Sequence, residues 1–133
     1  MFSSSYSLQG AALVFLFAVS AAHATTPSEL LAGYVAQAGT PINRERGQQL
    51  FVNGHGQQWA CASCHGAIPT KRGEHASTGK SIAPLAPGFN PDRFTNAEKT
   101  EKWFRRNCRD VVGRECTAAE KADVLAWLLT FKP

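Results

Sequence analysis

Apolar positions in this chain gather into short helical stripes, and the stretches between them carry no periodic pattern. Three helix starts are written in the same chemistry. Thr26-Pro27-Ser28-Glu29, Thr95-Asn96-Ala97-Glu98 and Thr117-Ala118-Ala119-Glu120 each place a Thr at the N-cap and a Glu three residues on, so that two orphan backbone donors are satisfied reciprocally. The helices predicted from them run over Ser28–Ala38, Ala97–Asn107 and Ala118–Thr130, and the first has Pro in its opening turn. A fourth covers Asn43–Asn53, with Gly47, Leu50 and Phe51 on one face. In the last helix Val124, Leu125, Leu128 and Phe131 share a face in the same way. No segment alternates at period two, so the fold class is all-α with β structure almost absent.

The first 24 residues hold no Asp, Glu, Lys or Arg, and their apolar run Ala11 to Val19 is followed by Ala22-His23-Ala24. This is the pattern of an export signal with an A-x-A cleavage site, although no Lys or Arg precedes the run. As a membrane anchor the run is only about half the ~20 apolar residues that cross a bilayer. Cleavage after Ala24 leaves one domain, Thr25 to Pro133, in an oxidising, periplasmic setting with no membrane span.

The chain of 133 residues is mildly basic, with 14 Lys+Arg against 10 Asp+Glu, and its opposite charges alternate. Without an unbroken basic run, nucleic acid is excluded as a partner. A domain this small gains from a covalent staple or a large buried cofactor.

The cofactor is announced by Cys61-Ala62-Ser63-Cys64-His65, a C-x-x-C-H motif. Its two thiols can add to the two vinyl groups along one porphyrin edge, and the adjacent imidazole then lies under the iron; the expectation is one covalent haem c with His65 as proximal ligand. A thioredoxin-type pair would follow an apolar strand, whereas the segment before this motif reads as helix. A zinc site would need Cys108 and Cys116 as its other half, but seven residues separate them where two to four are usual. Between Gly66 and Arg93 the chain is rich in Gly, Pro and Ser; we expect an ordered loop along a haem edge, with Ile82, Pro84, Leu85, Pro87 and Phe89 as its cover.

With Gly47-Gln48-Gln49-Leu50-Phe51 ahead of the haem motif and a final helix containing Trp127, the chain resembles a class I cytochrome c, about four helices around one haem. More closely, it resembles the sphaeroides haem protein family of high-spin cytochromes c. The resemblance is carried by Leu30-Leu31-Ala32-Gly33-Tyr34, Cys64-His65-Gly66, Thr78 to Pro87, Pro91 to Thr95, Glu101-Lys102-Trp103, Arg106-Asn107-Cys108 and Glu120 to Asp123. It implies that Asn107 is the sixth iron ligand in the resting oxidised state and departs when small molecules bind. It also implies a disulfide between Cys108 and Cys116, and a dihaem cytochrome c as electron donor.

The residues themselves speak to the distal side. Met1 is the sole methionine, so the thioether that closes the iron of ordinary electron-transfer cytochromes is missing once the signal is removed. On the helix from Ala97, residues Thr100, Trp103, Phe104 and Asn107 fall on one side, which makes Asn107 either a weak-field ligand or a plain C-terminal helix cap. His75, His55 and Lys80 are the other possible donors. A short covalent loop between Cys108 and Cys116 is worth about 2.5 kcal/mol. Arg105, Arg106, Arg109 and Arg114, with Lys99 and Lys102, form a basic rim suited to an acidic redox partner.

The function expected is therefore an exported monohaem cytochrome that carries one electron and reversibly binds a diatomic ligand such as O₂, NO or CO. Its rivals are a plain low-spin electron carrier closed by His or Lys, a haem enzyme acting on O₂, NO or peroxide, and a gas sensor acting through docking. The enzyme would need a distal acid–base residue, and no His–Arg pair for it is evident.

Overall fold

The computed structural model describes Met1 and residues 24–133; the export signal expected over residues 1–24 falls outside these but for its two ends. Helix α1 spans Pro27–Ala38, α2 Arg44–Val52, α3 Cys61–His65, α4 Ala97–Val112 and α5 Ala118–Leu128. Two residue pairs, Gly73 with Ile82 and Glu74 with Ser81, join β1 (Gly73–Glu74) to β2 (Ser81–Ile82) as an antiparallel ribbon. The all-α expectation thus holds, with a fifth, one-turn helix at the haem motif.

Capping chemistry sets the helix starts. Thr26 and Thr117 form the expected capping boxes with Glu29 and Glu120. At α4 the box predicted on Thr95 does not form. Asn96 caps instead, its Oδ1 accepting from the Lys99 amide at 2.8 Å, because Asn is the better N-cap and Thr95 is engaged elsewhere. The Thr95 hydroxyl donates to the Asp92 carbonyl, and its own carbonyl accepts from the Thr25 amide.

The helix ends differ more. Helix α4 runs five residues past Asn107, to a left-handed Gly113 at φ +80°, which satisfies the last carbonyls. Cys108 and Val111 carry its buried stripe onward, together with Thr100. Helix α5 stops at Leu128, two residues short of Thr130, whose hydroxyl donates to the Trp127 carbonyl.

The core forms where α5 is sandwiched between α2 and α1. At the α2–α5 crossing the backbones touch: a Cβ on Gly47 would stand 2.2 Å from the Asp123 carbonyl oxygen. Only glycine allows this approach. The Asp123 carboxylate, 1% exposed, accepts from the Asn43 amide at 2.7 Å and from Arg46 Nε, so it fixes the start of α2 on α5. Phe51, Val124, Trp127 and Leu128 fill one side of the crossing, with Phe51 and Trp127 ring centres 5.1 Å apart. Tyr34, Ala122 and Leu125 fill the other. Phe94 packs against both clusters from a left-handed backbone at φ +60°.

Beyond the core, Cys108 and Cys116 form a disulfide that ties the last turns of α4 to the segment before α5. No helix among the described residues is long and apolar enough to cross a membrane.

Two outcomes follow for stability. Gly47→Ala forces α2 off α5 and is expected to cost about 2–3 kcal/mol, seen as a fall of at least ~5 °C in the melting temperature. Arg114 donates a bidentate pair to Glu120 and, with the Thr117 amide, holds that carboxyl down to about 2. A depressed carboxylate contributes stability above its unfolded value near ~4.3 and loses it as the pH falls toward 2. Acid melts between these limits should therefore show a steeper loss for the native protein than for Arg114→Gln.

Candidate haem-binding site

Helix α3 is a single turn, begun where the Ala60 amide donates to Ser63 Oγ at 3.0 Å and ended by Gly66 at φ +77°. One turn places Cys61 and Cys64 on the same side, three residues apart. Both are free thiols and partly exposed. Burial pushes the Cys61 thiol up to about 11, so it is protonated at neutral pH. That is the opposite of an activated thioredoxin thiol. Helix α2, not a strand, precedes the motif, and Cys108 and Cys116, the other half that a zinc site would need, are joined to each other in a disulfide. Both rival readings of the motif fail on these grounds.

His65 is held by the core behind it. Its ring centre lies 6.1 Å from that of Phe51, which in turn packs on Trp127, so the α2–α5 crossing reaches the imidazole through one aromatic side chain. Burial, reinforced by the nearby Arg93 charge, lowers His65 to about 4 and leaves the ring neutral, the form in which an imidazole binds iron.

The β1–β2 ribbon clamps the other side. A Cβ on Gly73 would stand 2.0 Å from the Cys64 carbonyl oxygen, and the Ala76 amide donates to Cys64 Sγ at 3.3 Å. Nothing in the sequence marked Gly73, since it sits in a polar turn where many glycines serve only the turn. The rest of the Gly66–Arg93 segment is ordered, as expected. Pro69 accepts from the amides of Leu85 and Ala86, and Arg93 donates Nε to the Pro84 carbonyl at 3.0 Å and Nη2 to that of Ala83 at 2.8 Å. Ile82, Pro84, Leu85 and Pro87 are half-buried and Phe89 is exposed.

Asn107 stands on α4, away from this proximal group. It does not cap the helix, because Gly113 does. Nor does it end an apolar face. Thr100, Cys108 and Val111 are the buried stripe with Phe104 partly buried, while Trp103 and Asn107 form the neighbouring, exposed edge. Trp103 is 45% exposed, with the Arg106 guanidinium 5.7 Å from its ring centre. The Asn107 side chain makes no hydrogen bond among the described residues.

The other donors lie in local contacts or in solvent. His55 Nε2 is 2.8 Å from the Leu50 carbonyl, and His75 Nδ1 lies 3.2 Å from Ser77 Oγ within a tight turn. Lys80 is exposed. The basic rim is also smaller than its composition suggests, since Arg109 pairs with Glu115 and Arg114 with Glu120.

The donor set fits a covalently attached haem: two thiols on one turn, a neutral imidazole beside them, and large apolar side chains at Ile68, Phe89 and Trp103 that the surface leaves uncovered. The comparisons agree. Residues 37–128 match a family described as a domain of unknown function, DUF1924. The cytochrome c-type protein SHP of Cereibacter sphaeroides is 52% identical over 108 residues, which cover 78% of this chain and 83% of that protein. The structure of oxidised SHP, described as an oxygen binding cytochrome c, superposes with a TM-score of 0.76 at 50% identity, over 81% of this chain and 99% of that one. Oxidised cytochrome c'' of Methylophilus methylotrophus follows with a TM-score of 0.71 at 35% identity, over 80% and 95% of the two chains. The chain therefore belongs to the family of SHP and cytochrome c'', class I-like monohaem cytochromes with a covalently bound haem c.

Proposed function

We propose that this protein is an exported, high-spin cytochrome c that carries one electron and reversibly binds small diatomic ligands beside a labile Asn107. The observation that carries the reading is Asn107 itself. It is an exposed amide in the middle of a helix, where Asn is a poor residue by propensity, and it neither caps the helix nor bonds to a neighbour among the described residues. A polar side chain so placed has its oxygen available to a ligand. The relation to an oxygen binding cytochrome c supports the same role.

The residues divide the work. Cys61 and Cys64 hold the haem by adding their S–H groups across its vinyls, and His65 supplies the proximal nitrogen in its neutral form. Haem so held supplies an iron that changes oxidation state by one electron and takes a small molecule at its sixth position. The Asn107 carboxamide oxygen would offer a neutral, weak-field donor, and its N–H₂ could donate to a small molecule held beside it. Of the other candidate donors, His55 and His75 each spend one ring nitrogen on a local contact, with the Leu50 carbonyl and Ser77 Oγ, which ties those rings to their own segments.

Export to the periplasm rests on the apolar run and the A-x-A motif near Met1. As electron donor we place an acidic redox protein, a dihaem cytochrome c by family resemblance. Lys99, Lys102 and Arg106 line the edge that carries Trp103, and they make no salt bridge among the described residues.

Visible spectra test the reading directly. Oxidised protein should be high-spin, and dithionite-reduced protein should shift strongly on adding CO; a sharp low-spin spectrum untouched by CO would overturn it in favour of a plain electron carrier. Asn107→Ala should keep its haem and bind exogenous ligands faster and less selectively than the native protein. Unchanged binding rates in that variant would remove Asn107 from the site.

A further inference from the structure

Helix α4 differs from its neighbours in how it is held. Helices α2 and α1 lie directly on α5, α2 with its backbone in contact at Gly47, whereas α4 approaches the other helices only sparsely and is attached by side chains. At its C-terminal end the attachment is covalent, through Cys108–Cys116. Phe104 adds an edge-on contact to Tyr34, with ring centres 5.9 Å apart.

A further attachment is one carboxylate. Glu101 Oε1 accepts from the Tyr34 hydroxyl of α1 at 2.5 Å, and Glu101 Oε2 accepts from Lys121 Nζ of α5 at 2.6 Å. Three helices thus meet at a single side chain. Tyr34 is 3% exposed, and burial together with the Glu101 charge raises its pKa, so the phenol remains a donor. The Lys121 ammonium also lies 5.4 Å from the Tyr34 ring centre and 5.9 Å from that of Phe104. Hydrogen bonds of this charge-assisted kind are the strong ones.

We propose that Glu101 is the positioning residue for Asn107: by clasping α4 to α1 and α5 it sets how readily the weak sixth ligand leaves. The proposal rests on the Asn107 reading above. Glu101 and Asn107 are six residues apart, about 9 Å along the axis, with no Gly or Pro between them, so the helix transmits displacement as a stiff element. Asn107 therefore sits between two anchors, the clasp on one side and the disulfide at Cys108 on the other. Withdrawing it means tilting, turning or fraying α4 against both. A neutral amide gains so little from its metal that the cost of this movement is decisive.

A double-mutant cycle decides the matter, read as the rate of cyanide binding to the oxidised holoprotein at pH 7. Cyanide is then mostly neutral HCN, which a change of surface charge does not steer. Glu101→Gln keeps the shape of the side chain and removes its charge. It should speed binding roughly three- to ten-fold, the range of coupling seen for residues that modulate a distant site. Combined with Asn107→Ala it should add less than about two-fold, because the residue it positions is gone. Lys121→Met, which leaves the Tyr34 bond in place, should act in the same direction and serves if Glu101→Gln does not fold. A variant with a lower melting temperature but native binding rates would reduce the clasp to a structural strut and overturn the proposal. An equal acceleration with and without Asn107 would also overturn it, showing a general loosening of the pocket. If Asn107→Ala alone binds at the native rate, the Asn107 reading fails and the clasp has no ligand to position.

Discussion

The contact on which the rest of this structure depends is the crossing of α2 and α5 at Gly47 and Asp123. It is a backbone-on-backbone contact, possible because Gly47 has no side chain, and it is locked by a buried carboxylate that takes up the Asn43 amide and Arg46. A buried charge is tolerable only with such partners. Because the helices touch, Phe51 and Trp127 are forced into one another, and Phe51 in turn backs the His65 ring. The orientation of the His65 imidazole is thus a consequence of a helix crossing whose glycine lies 14 residues before Cys61. The Gly73 approach to the Cys64 carbonyl repeats the same device on the opposite side of α3.

How much of this was legible in the sequence depends on whether the determining interaction is local. The C-x-x-C-H turn and two of the three Thr–Glu capping boxes involve residues three or four apart, and the structure realises them as read. The third box slips by one residue because a rival cap, Asn96, stands beside Thr95 and because Thr95 is bonded to Thr25 from across the fold. The end of α4 lies beyond the predicted one, Asn107, for a related reason. Asn107 resembles a helix terminator, but Cys108 and Val111 prolong the buried stripe, and Gly113 stands where a left-handed stop is needed. Gly47 shows in the sequence only as a member of an apolar helix face and Gly73 only as a turn residue, since the reason for each lies in the backbones of Asp123 and Cys64.

The basic rim gives the converse lesson. Composition placed four arginines near the distal segment, but two of them close short salt bridges with Glu115 and Glu120 that belong to the loop and to the start of α5. Arg114 with Glu120 reinforces a capping box, so its charge serves a helix terminus. What survives as a free cationic edge is shorter and lies on α4 next to Trp103. A count of charges overstates a surface whenever the charges have neighbours of opposite sign within a turn or two.

The two sides of the candidate site are built to different stiffness, and the difference has a chemical reason. The proximal side is fixed by close backbone approaches and aromatic packing, which are short-ranged and tolerate little displacement. The residue proposed as distal ligand rides on α4, a strongly amphipathic helix held by side chains that include a disulfide, aromatic contacts and one shared carboxylate. A ligand that must stay needs the first kind of support, and a ligand that must leave needs the second, since its departure is only as easy as the movement of the element that carries it. Had Asn107 been placed on α5, withdrawing it would disrupt the Gly47–Asp123 crossing and with it the core. On α4 the withdrawal proposed above would work against the Glu101 clasp and the disulfide and leave the Gly47–Asp123 crossing untouched.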